Sequence, residues 1–204
     1  PSVLRYVNVL EWSFLQKSIS FNMNTMNIRR IVSPSDPLYA GCVKIYEESF
    51  PYEERRDTAV MTQMLSDDRL HFIVFYGDRE EDGPVGFFTF WDFGRGYLYG
   101  EHFAVDPSRR GGGTGTKVLD YIKSMGIPMI LEIEMPSEED EMTLRRKLFY
   151  ERNGFILNPH SHIQPAYHPD SEPVPMRVMT WPYVFSSEEY EQFRKDQLGI
   201  MPEE

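Results

Sequence analysis

A run of arginines and glycines in the middle of this chain has the residue types of an anion site. The run is Arg109-Arg110-Gly111-Gly112-Gly113-Thr114-Gly115, and it stands between an apolar strand pattern that ends at Val105 and an amphipathic helix pattern. Glycine lets backbone N–H groups approach an anion, and the first N–H groups of a helix have no intrahelical acceptor. The helix dipole and both guanidinium groups add positive charge there. The run therefore predicts a site for a phosphate-bearing ligand.

Three carboxylates on predicted central strands form a second group of candidates. Glu101 stands two residues before Phe103, so regular alternation predicts that both face one side and that His102 faces the other. Glu132 and Glu134 share one face of the next strand. Acids on central strands need partners or a raised pKa. Any of the three could accept a proton or hold a cation. Each could equally have a purely structural role, with its hydrogen-bonding groups paired inside the fold.

Three other interpretations of the glycine turn fit the sequence less well than an anion site. A mononucleotide P-loop requires lysine directly after the last glycine, whereas Thr116 follows Gly115 here. A dinucleotide fingerprint opens a βαβ unit near the start of a domain, whereas several predicted strands and a hairpin precede this turn. A plain chain reversal needs fewer glycines and no arginines.

The elements that must position these residues alternate along the chain. From Asn27 onward, strand and helix patterns follow the order β-α-α-β-β-β-α-β-α-β-β. A helix is expected over 53–65, one strand over 155–164, and an acidic, solvated helix over 187–198. The order predicts an α/β (α+β) fold with a mixed, mostly antiparallel central sheet and helices on both faces.

Length and composition indicate one globular domain with extensions. We expect an N-terminal extension over 1–26, the domain over 27–182 and an acidic helical tail over 183–204. The single cysteine, Cys42, excludes an internal disulfide framework and is typical of a reducing compartment, so a cytoplasmic location is expected. No stretch is long and apolar enough for a membrane span, and no membrane partner is expected.

The net charge of −11 bears on the partners. It argues against nucleic-acid binding, which depends on Lys and Arg neutralising phosphates. It is compatible with a cationic substrate, although acidity also serves solubility.

Two motifs in this order resemble the GNAT superfamily of acyl-CoA-dependent N-acetyltransferases, over roughly residues 27–182. The first is the family pattern Q/R-x-x-G-x-G/A, here Arg110-Gly111-Gly112-Gly113-Thr114-Gly115, after a strand that ends in FAVDP. The second is the pattern F/L-Y-x-x-x-G-F near a helix end, here Phe149-Tyr150-Glu151-Arg152-Asn153-Gly154-Phe155. One strand separates them. Either motif alone is weak, but together in this order they are fairly specific.

The resemblance implies acetyl-CoA as co-substrate, held by the turn and by the strand before it, with the following strand splayed away. In the family an asparagine seven residues before the motif tyrosine also has a role toward CoA. Thr143 occupies that position here, and its hydroxyl can still donate a hydrogen bond. The residues expected at CoA are Phe103, Ala104, Val105, Arg109, Arg110, Gly111, Gly112, Gly113, Thr114, Gly115, Thr116 and Thr143.

The implied activity is direct acetyl transfer to a primary amine of a small molecule or peptide. Tyr150 matches the family tyrosine near the CoA sulfur and is the expected proton donor, with Glu101 or a water path as the base. No metal is expected, because His160, His162 and His168 have no cysteine beside them and the transfer needs none. Acceptors in the family contact the region of Glu47, Glu48, Tyr52, Glu53 and Glu54, most of which are expected to be solvated.

Two alternatives remain open at this point. A catalytically silent CoA-binding or regulatory domain would share both motifs, and a nucleotide-binding protein would share the turn. The fold does not choose the acceptor amine. Exposed sheet edges leave a homodimer open.

Overall fold

The computed structural model describes residues 26–201, so all but the last residue of the expected N-terminal extension lies outside the described part. The strands are β1 (Asn27–Ile31), β2 (Leu70–Tyr76), β3 (Pro84–Asp92), β4 (Leu98–Val105), β5 (Met129–Glu134), β6 (Ile156–Leu157), β7 (His162–Gln164) and β8 (Val174–Trp181). The helices are α1 (Tyr39–Ser49), α2 (Thr58–Met64), α3 (Thr114–Lys123), α4 (Glu141–Arg152) and α5 (Ser187–Leu198). No helix among the described residues is both long and apolar enough to cross a membrane.

All eight strands form one sheet in the order β1-β2-β3-β4-β5-β8-β6, with β7 also paired to β8. Every neighbouring pair is antiparallel except β4 and β5, which are parallel. Helix α3 is the crossover between those two strands. The predicted mixed, mostly antiparallel sheet is confirmed.

Helices cover both faces of the sheet, as predicted. On one face, Val118 and Ile122 of α3 and Tyr150 of α4 pack with strand residues such as Phe88 and Phe90. On the other, α1 and α2 bury an apolar set with the inner ends of β2 and β3. Helix α5 adds a third cluster beside it, with Tyr99, Ile130 and Val178.

The expectation that the last helix is solvated is wrong. Tyr190, Phe193 and Gln197 of α5 are buried, and Phe193 packs its ring against Tyr99 of β4 at 5.1 Å between centroids. An acidic outer face hides this narrow buried stripe in the sequence, because few residues of a short helix contact the sheet. The division at residue 183 remains a prediction, but α5 packs as part of the domain core.

Two predicted elements are shorter than expected. The helix expected over 53–65 begins at Thr58, because residues 52–54 form a 3₁₀ turn and Arg55 is extended. The backbone N–H of Arg56 donates to the Tyr46 hydroxyl at 2.8 Å, which fixes this extended segment. The strand expected over 155–164 divides into β6 and β7, since buried Asn158 turns its amide toward Thr180 and the backbone N–H of Phe185.

A bulge in β4 changes the direction of Glu101. Thr89 pairs with His102 and Phe90 pairs with Gly100, which leaves Glu101 without a partner on β3. A bulge places two successive side chains on one side of a strand. Glu101 and His102 accordingly both contact Tyr167. The expectation that Glu101 shares the face of Phe103, opposite His102, is wrong for this reason.

The parallel strands β4 and β5 separate soon after they begin. They pair only at Leu98 with Met129, Tyr99 with Ile130 and Gly100 with Leu131. Beyond Gly100 no strand of the described residues pairs with this edge of β4. The splay that the resemblance implied is therefore present, and it starts at the bulge.

Acid is expected to destabilise the fold through His71 of β2. Its ring is 6% exposed and stacks on Phe90 with centroids 4.8 Å apart. Burial, with a smaller effect of Arg30, lowers the pKa of His71 to about 3. Below about pH 6.5 the His71 side chain binds a proton in the unfolded chain but stays neutral in the folded chain. The free energy of unfolding therefore falls as the pH drops from about 6.5 toward 3.

The measurement is urea unfolding of the wild type and of His71→Gln at pH 7 and pH 4.5. The wild type should lose about 2 kcal/mol more than the variant over this interval. Equal losses would show that His71 titrates normally in the folded protein.

Candidate active site

A cleft of about 410 Å³ opens where β4 and β5 diverge. The glycine turn and the start of α3 line one end of it, and the free edge of β4 lines its length. Helix α4 borders it with Arg145, Arg146, Phe149 and Tyr150. The other end holds polar side chains, which include Glu54, Glu101, Glu132 and Gln164. The cleft therefore joins the predicted anion site to a carboxylate-rich end.

The glycine turn presents unsatisfied donors. Gly111, Gly112 and Gly113 have φ angles of 92°, 59° and 77°, which glycine adopts at little cost. The first helical hydrogen bond of α3 runs from the N–H of Lys117 to Gly113. Within residues 26–201, no acceptor meets the backbone N–H groups of Gly111, Gly112, Gly113, Gly115 and Thr116. Such a concave set of N–H groups suits a phosphate.

The structure brings most of the predicted CoA residues to this cleft and leaves some outside. Those that line it are Phe103, Ala104, Val105, Arg110, Gly111, Thr114 and Gly115. Arg109 instead borders a neighbouring depression and donates to the carbonyl of Asp82 at 3.2 Å. The side chain of Thr116 and the α-carbons of Gly112 and Gly113 also lie outside the lining.

Thr143 lies outside the cleft lining because its hydroxyl is used at the start of α4. It donates to the carbonyl of Asp140 at 2.8 Å and accepts from the backbone N–H of Ser137 at 3.0 Å. This pair of bonds closes the turn that begins the helix.

Tyr150 lies at the middle of the cleft, on the inner face of α4. Its side chain is 8% exposed, and the rings of Phe149 and Phe155 contact it edge-on at 5.3 and 5.5 Å. Burial raises the pKa of Tyr150 to about 12, against the opposing charge of Arg146. No group among residues 26–201 hydrogen-bonds its hydroxyl. The phenol therefore stays protonated at neutral pH and is free to donate to a ligand.

The carboxylate of Glu101 accepts four hydrogen bonds. Arg56 donates to its Oε1 from Nε and Nη2 at 3.0 and 2.8 Å, and Tyr167 donates to the same oxygen at 3.2 Å. Trp91 donates to Oε2 at 2.7 Å. Burial alone would raise the pKa of Glu101, but Arg56 and these donors outweigh it and lower that pKa. Such a carboxylate attracts a cation more readily than it removes a proton.

Glu132 is the centre of a second buried network. It accepts hydrogen bonds from Tyr99, His162, Gln164 and Gln197. Burial would raise the pKa of Glu132, and the bond and charge of His162 outweigh it, so the pKa is lowered. The carboxylate is thus ionised and fully engaged at the floor of the cleft.

The ring of His162 forms a hydrogen bond on each side. The Tyr190 hydroxyl donates to the carbonyl of Ser161 at 2.8 Å, so its oxygen accepts from Nδ1 of His162 at 3.0 Å. Nε2 of His162 hydrogen-bonds the carboxylate of Glu132. The ring therefore links α5 to the floor of the cleft.

Sequence reasoning missed most of these partners, and the other candidates have structural roles. Glu134 pairs with Arg146, and Cys42 is buried in the core of α1, where burial raises its pKa. The three histidines considered for a metal bond to different groups. Within residues 26–201 no three His, Cys, Asp or Glu side chains group as metal ligands.

Comparisons with known proteins agree with this geometry. A family model for an acetyltransferase (GNAT) domain matches residues 68–157. A solved structure from Bacteroides thetaiotaomicron, assigned to the GNAT acetyltransferases without a stated substrate, is 32% identical, with a TM-score of 0.74, over 83% of this chain and 94% of that one.

Two further proteins are more distant. The Bacillus subtilis protein YjbC, also assigned as an acetyltransferase, is 29% identical over 53% of this chain and 53% of its own length, so the match spans about half of that relative. A spermidine N-acetyltransferase, SpeG from Vibrio cholerae, is 10% identical, with a TM-score of 0.53, over 76% of this chain and 92% of that one. The last likeness concerns the fold alone.

Proposed function

Because this chain belongs to the GNAT family of acetyltransferases, we propose that it transfers the acetyl group of acetyl-CoA to a primary amine by direct attack on the thioester. The observation that carries this proposal is the continuous cleft from the glycine turn, past Tyr150, to the carboxylates of β4 and β5. One end suits a polyanionic donor, the middle holds a protonated phenol, and the far end suits an amine.

The turn fits the pyrophosphate of CoA. Five backbone N–H groups without acceptors, from Gly111 to Thr116, point to an anion, and the guanidinium of Arg110 lies at the same end. Nε of Arg110 donates to the carbonyl of Val105 at 3.1 Å, which holds the side chain against the end of β4. The free edge of β4 over Phe103–Val105 offers backbone groups to the pantetheine arm.

The chemistry follows from this placement. The amine must lose a proton before its nitrogen attacks the thioester carbonyl. The new N–C bond forms as the C–S bond breaks, and Tyr150 protonates the leaving sulfur. The proton of the amine leaves through water; Glu101, paired with Arg56, lines the amine end of the cleft.

The acceptor is a small-molecule or peptide amine, and the charges favour a cationic one. The net charge is −11, and Glu54 lines the acceptor end with no ion-pair partner among residues 26–201. The fold neighbour that acts on spermidine makes polyamines a sensible member of a test panel. The cytoplasmic location and the homodimer stay predictions.

The test is thiol release from acetyl-CoA with a panel of amines that includes polyamines, amino acids and peptides. Calorimetric titration with CoA and with ATP accompanies it. Turnover with at least one amine supports the proposal. Tight CoA binding with no transfer would favour the non-catalytic domain, and ATP binding without CoA binding would overturn the proposal.

Replacing Gly111 with alanine should weaken CoA binding by about 10-fold. A side chain at a φ of 92° costs about 1–2 kcal/mol, and relaxation of the turn redirects the N–H groups that face the phosphates. Calorimetry with CoA measures the change. Gly126→Ala is the matched control, since Gly126 has a φ of 70° with equally open space but lies at the far end of α3. Equal loss of CoA affinity in both variants would contradict the assignment of the turn.

A further inference from the structure

Three carboxylates belong to the acceptor end of the cleft, and two of them are occupied. Glu101 is paired with Arg56 and Glu132 is paired with His162, each with its remaining oxygens bonded to other donors. The buried Arg56–Glu101 pair carries no net charge, and four donors hold the buried carboxylate of Glu132. Neither carboxylate has the basicity that removal of an ammonium proton requires. The third, Glu54, has a different environment.

Glu54 ends the 3₁₀ turn that follows α1 and faces the cleft. Nε2 of His102 lies 2.9 Å from its carbonyl oxygen, and burial lowers the pKa of His102, so a neutral ring donates this bond. The backbone of Glu54 is thereby tied to β4 beside the bulge. In the described part of the chain no donor hydrogen-bonds its carboxylate, which is half-buried.

The polar groups that act on Glu54 belong to three elements. Arg146 is on α4 and also lines the cleft, Glu53 precedes Glu54 on the same turn, and the neutral His102 is on β4. Burial raises the pKa of Glu54, Arg146 opposes this effect, and Glu53 adds to it. Arg146 also acts on the hydroxyl of Tyr150. Glu54, Arg146 and Tyr150 all line the same cleft.

We propose that Glu54 is the catalytic group that takes the proton from the acceptor amine. This inference rests on the acetyl transfer proposed above. The Glu54 carboxylate accepts one proton from the substrate ammonium, directly or through one water, and the neutral nitrogen attacks the thioester carbonyl. The C–S bond breaks and the sulfur receives the proton of Tyr150. The second proton of the former amine nitrogen restores the phenol, and Glu54 returns its proton to solvent.

The experiment compares Glu54→Gln with Glu53→Gln, using the best acceptor found in the amine panel. Gln keeps the size of the side chain and removes its basicity, and Glu53 is an exposed neighbour outside the cleft lining. We expect Glu54→Gln to lower kcat about 100-fold and to remove the acidic limb of the pH profile. Glu53→Gln should keep kcat near the wild-type value and retain the acidic limb, moved to lower pH because the charge of Glu53 raises the pKa of Glu54. Affinity for CoA and thermal stability should be unchanged in both variants.

The outcomes separate this inference from the proposed function. No turnover by wild type and Glu53→Gln with any amine defeats the proposed function itself. Wild-type turnover that Glu54→Gln retains, with the acidic limb intact, overturns the role of Glu54 alone. A change confined to KM of the amine would also overturn it, because a residue that only holds the acceptor leaves kcat and the pH limb in place.

Discussion

Tyr150→Phe should lower kcat for acetyl transfer by about 1000-fold, with the affinity for CoA unchanged. The change removes one hydroxyl and keeps the ring, which packs between Phe149 and Phe155. The thiolate then leaves without a proton donor. The Tyr150 hydroxyl has a pKa of about 12. Wild-type activity should therefore not fall between pH 7 and pH 9 through deprotonation of this phenol. Steady-state thiol release across this range measures both points.

Tyr183→Phe is the matched control for this substitution. Tyr183 is 43% exposed, and its hydroxyl bonds to Glu189 at 3.0 Å, away from the cleft. It should turn over like the wild type. Unchanged turnover by Tyr150→Phe would remove this residue from the mechanism and leave water as the donor to the sulfur.

Arg56→Met should cost about 3–5 kcal/mol of folding free energy, because it leaves the buried carboxylate of Glu101 without its counter-charge. Side chains of both residues are 3% exposed. The pair fixes the extended segment after α1 to the bulge of β4, so the acceptor end should loosen as well. Urea unfolding at pH 7 measures the loss.

The double variant Arg56→Met with Glu101→Gln tests the cause of that loss. Gln removes the uncompensated charge; its carbonyl oxygen can still accept from Trp91, and its NH2 group can donate to the Tyr167 hydroxyl. Most of the lost stability should return. If the double variant is as unstable as Arg56→Met, packing of the arginine stem and not its charge explains the effect.

The donor end of the site could be predicted from local sequence, because its function depends on backbone groups. Three consecutive glycines after a strand and before a helix specify a turn of N–H donors wherever the chain places them. The motif around Tyr150 likewise fixes the residue on the inner face of a helix that ends at Arg152, two residues before Gly154. Both features depend on residues within a few positions of each other.

The acceptor end could not be predicted in the same way. The direction of Glu101 depends on a bulge, which arises from the register between β3 and β4 and leaves no mark in the alternation of residues. The partners of Glu132 come from β4, β7 and α5, and Gln197 lies on a helix that reads as polar and solvated. That Gln197 is buried can be predicted only once the position of its hydrogen-bond partner, the Glu132 carboxylate, is known.

The bond from Gln197 to Glu132, at 2.8 Å, has a consequence for synthesis of the protein. The glycine turn, the phenol and both carboxylates are all translated before α5. The last donor to the floor of the cleft reaches it only when residue 197 has left the ribosome. A nascent chain that ends before α5 would expose the apolar patch of Tyr99, Ile130 and Val178 and would hold Glu132 short of one donor. The floor of the cleft is thus complete only once α5 has packed against the sheet.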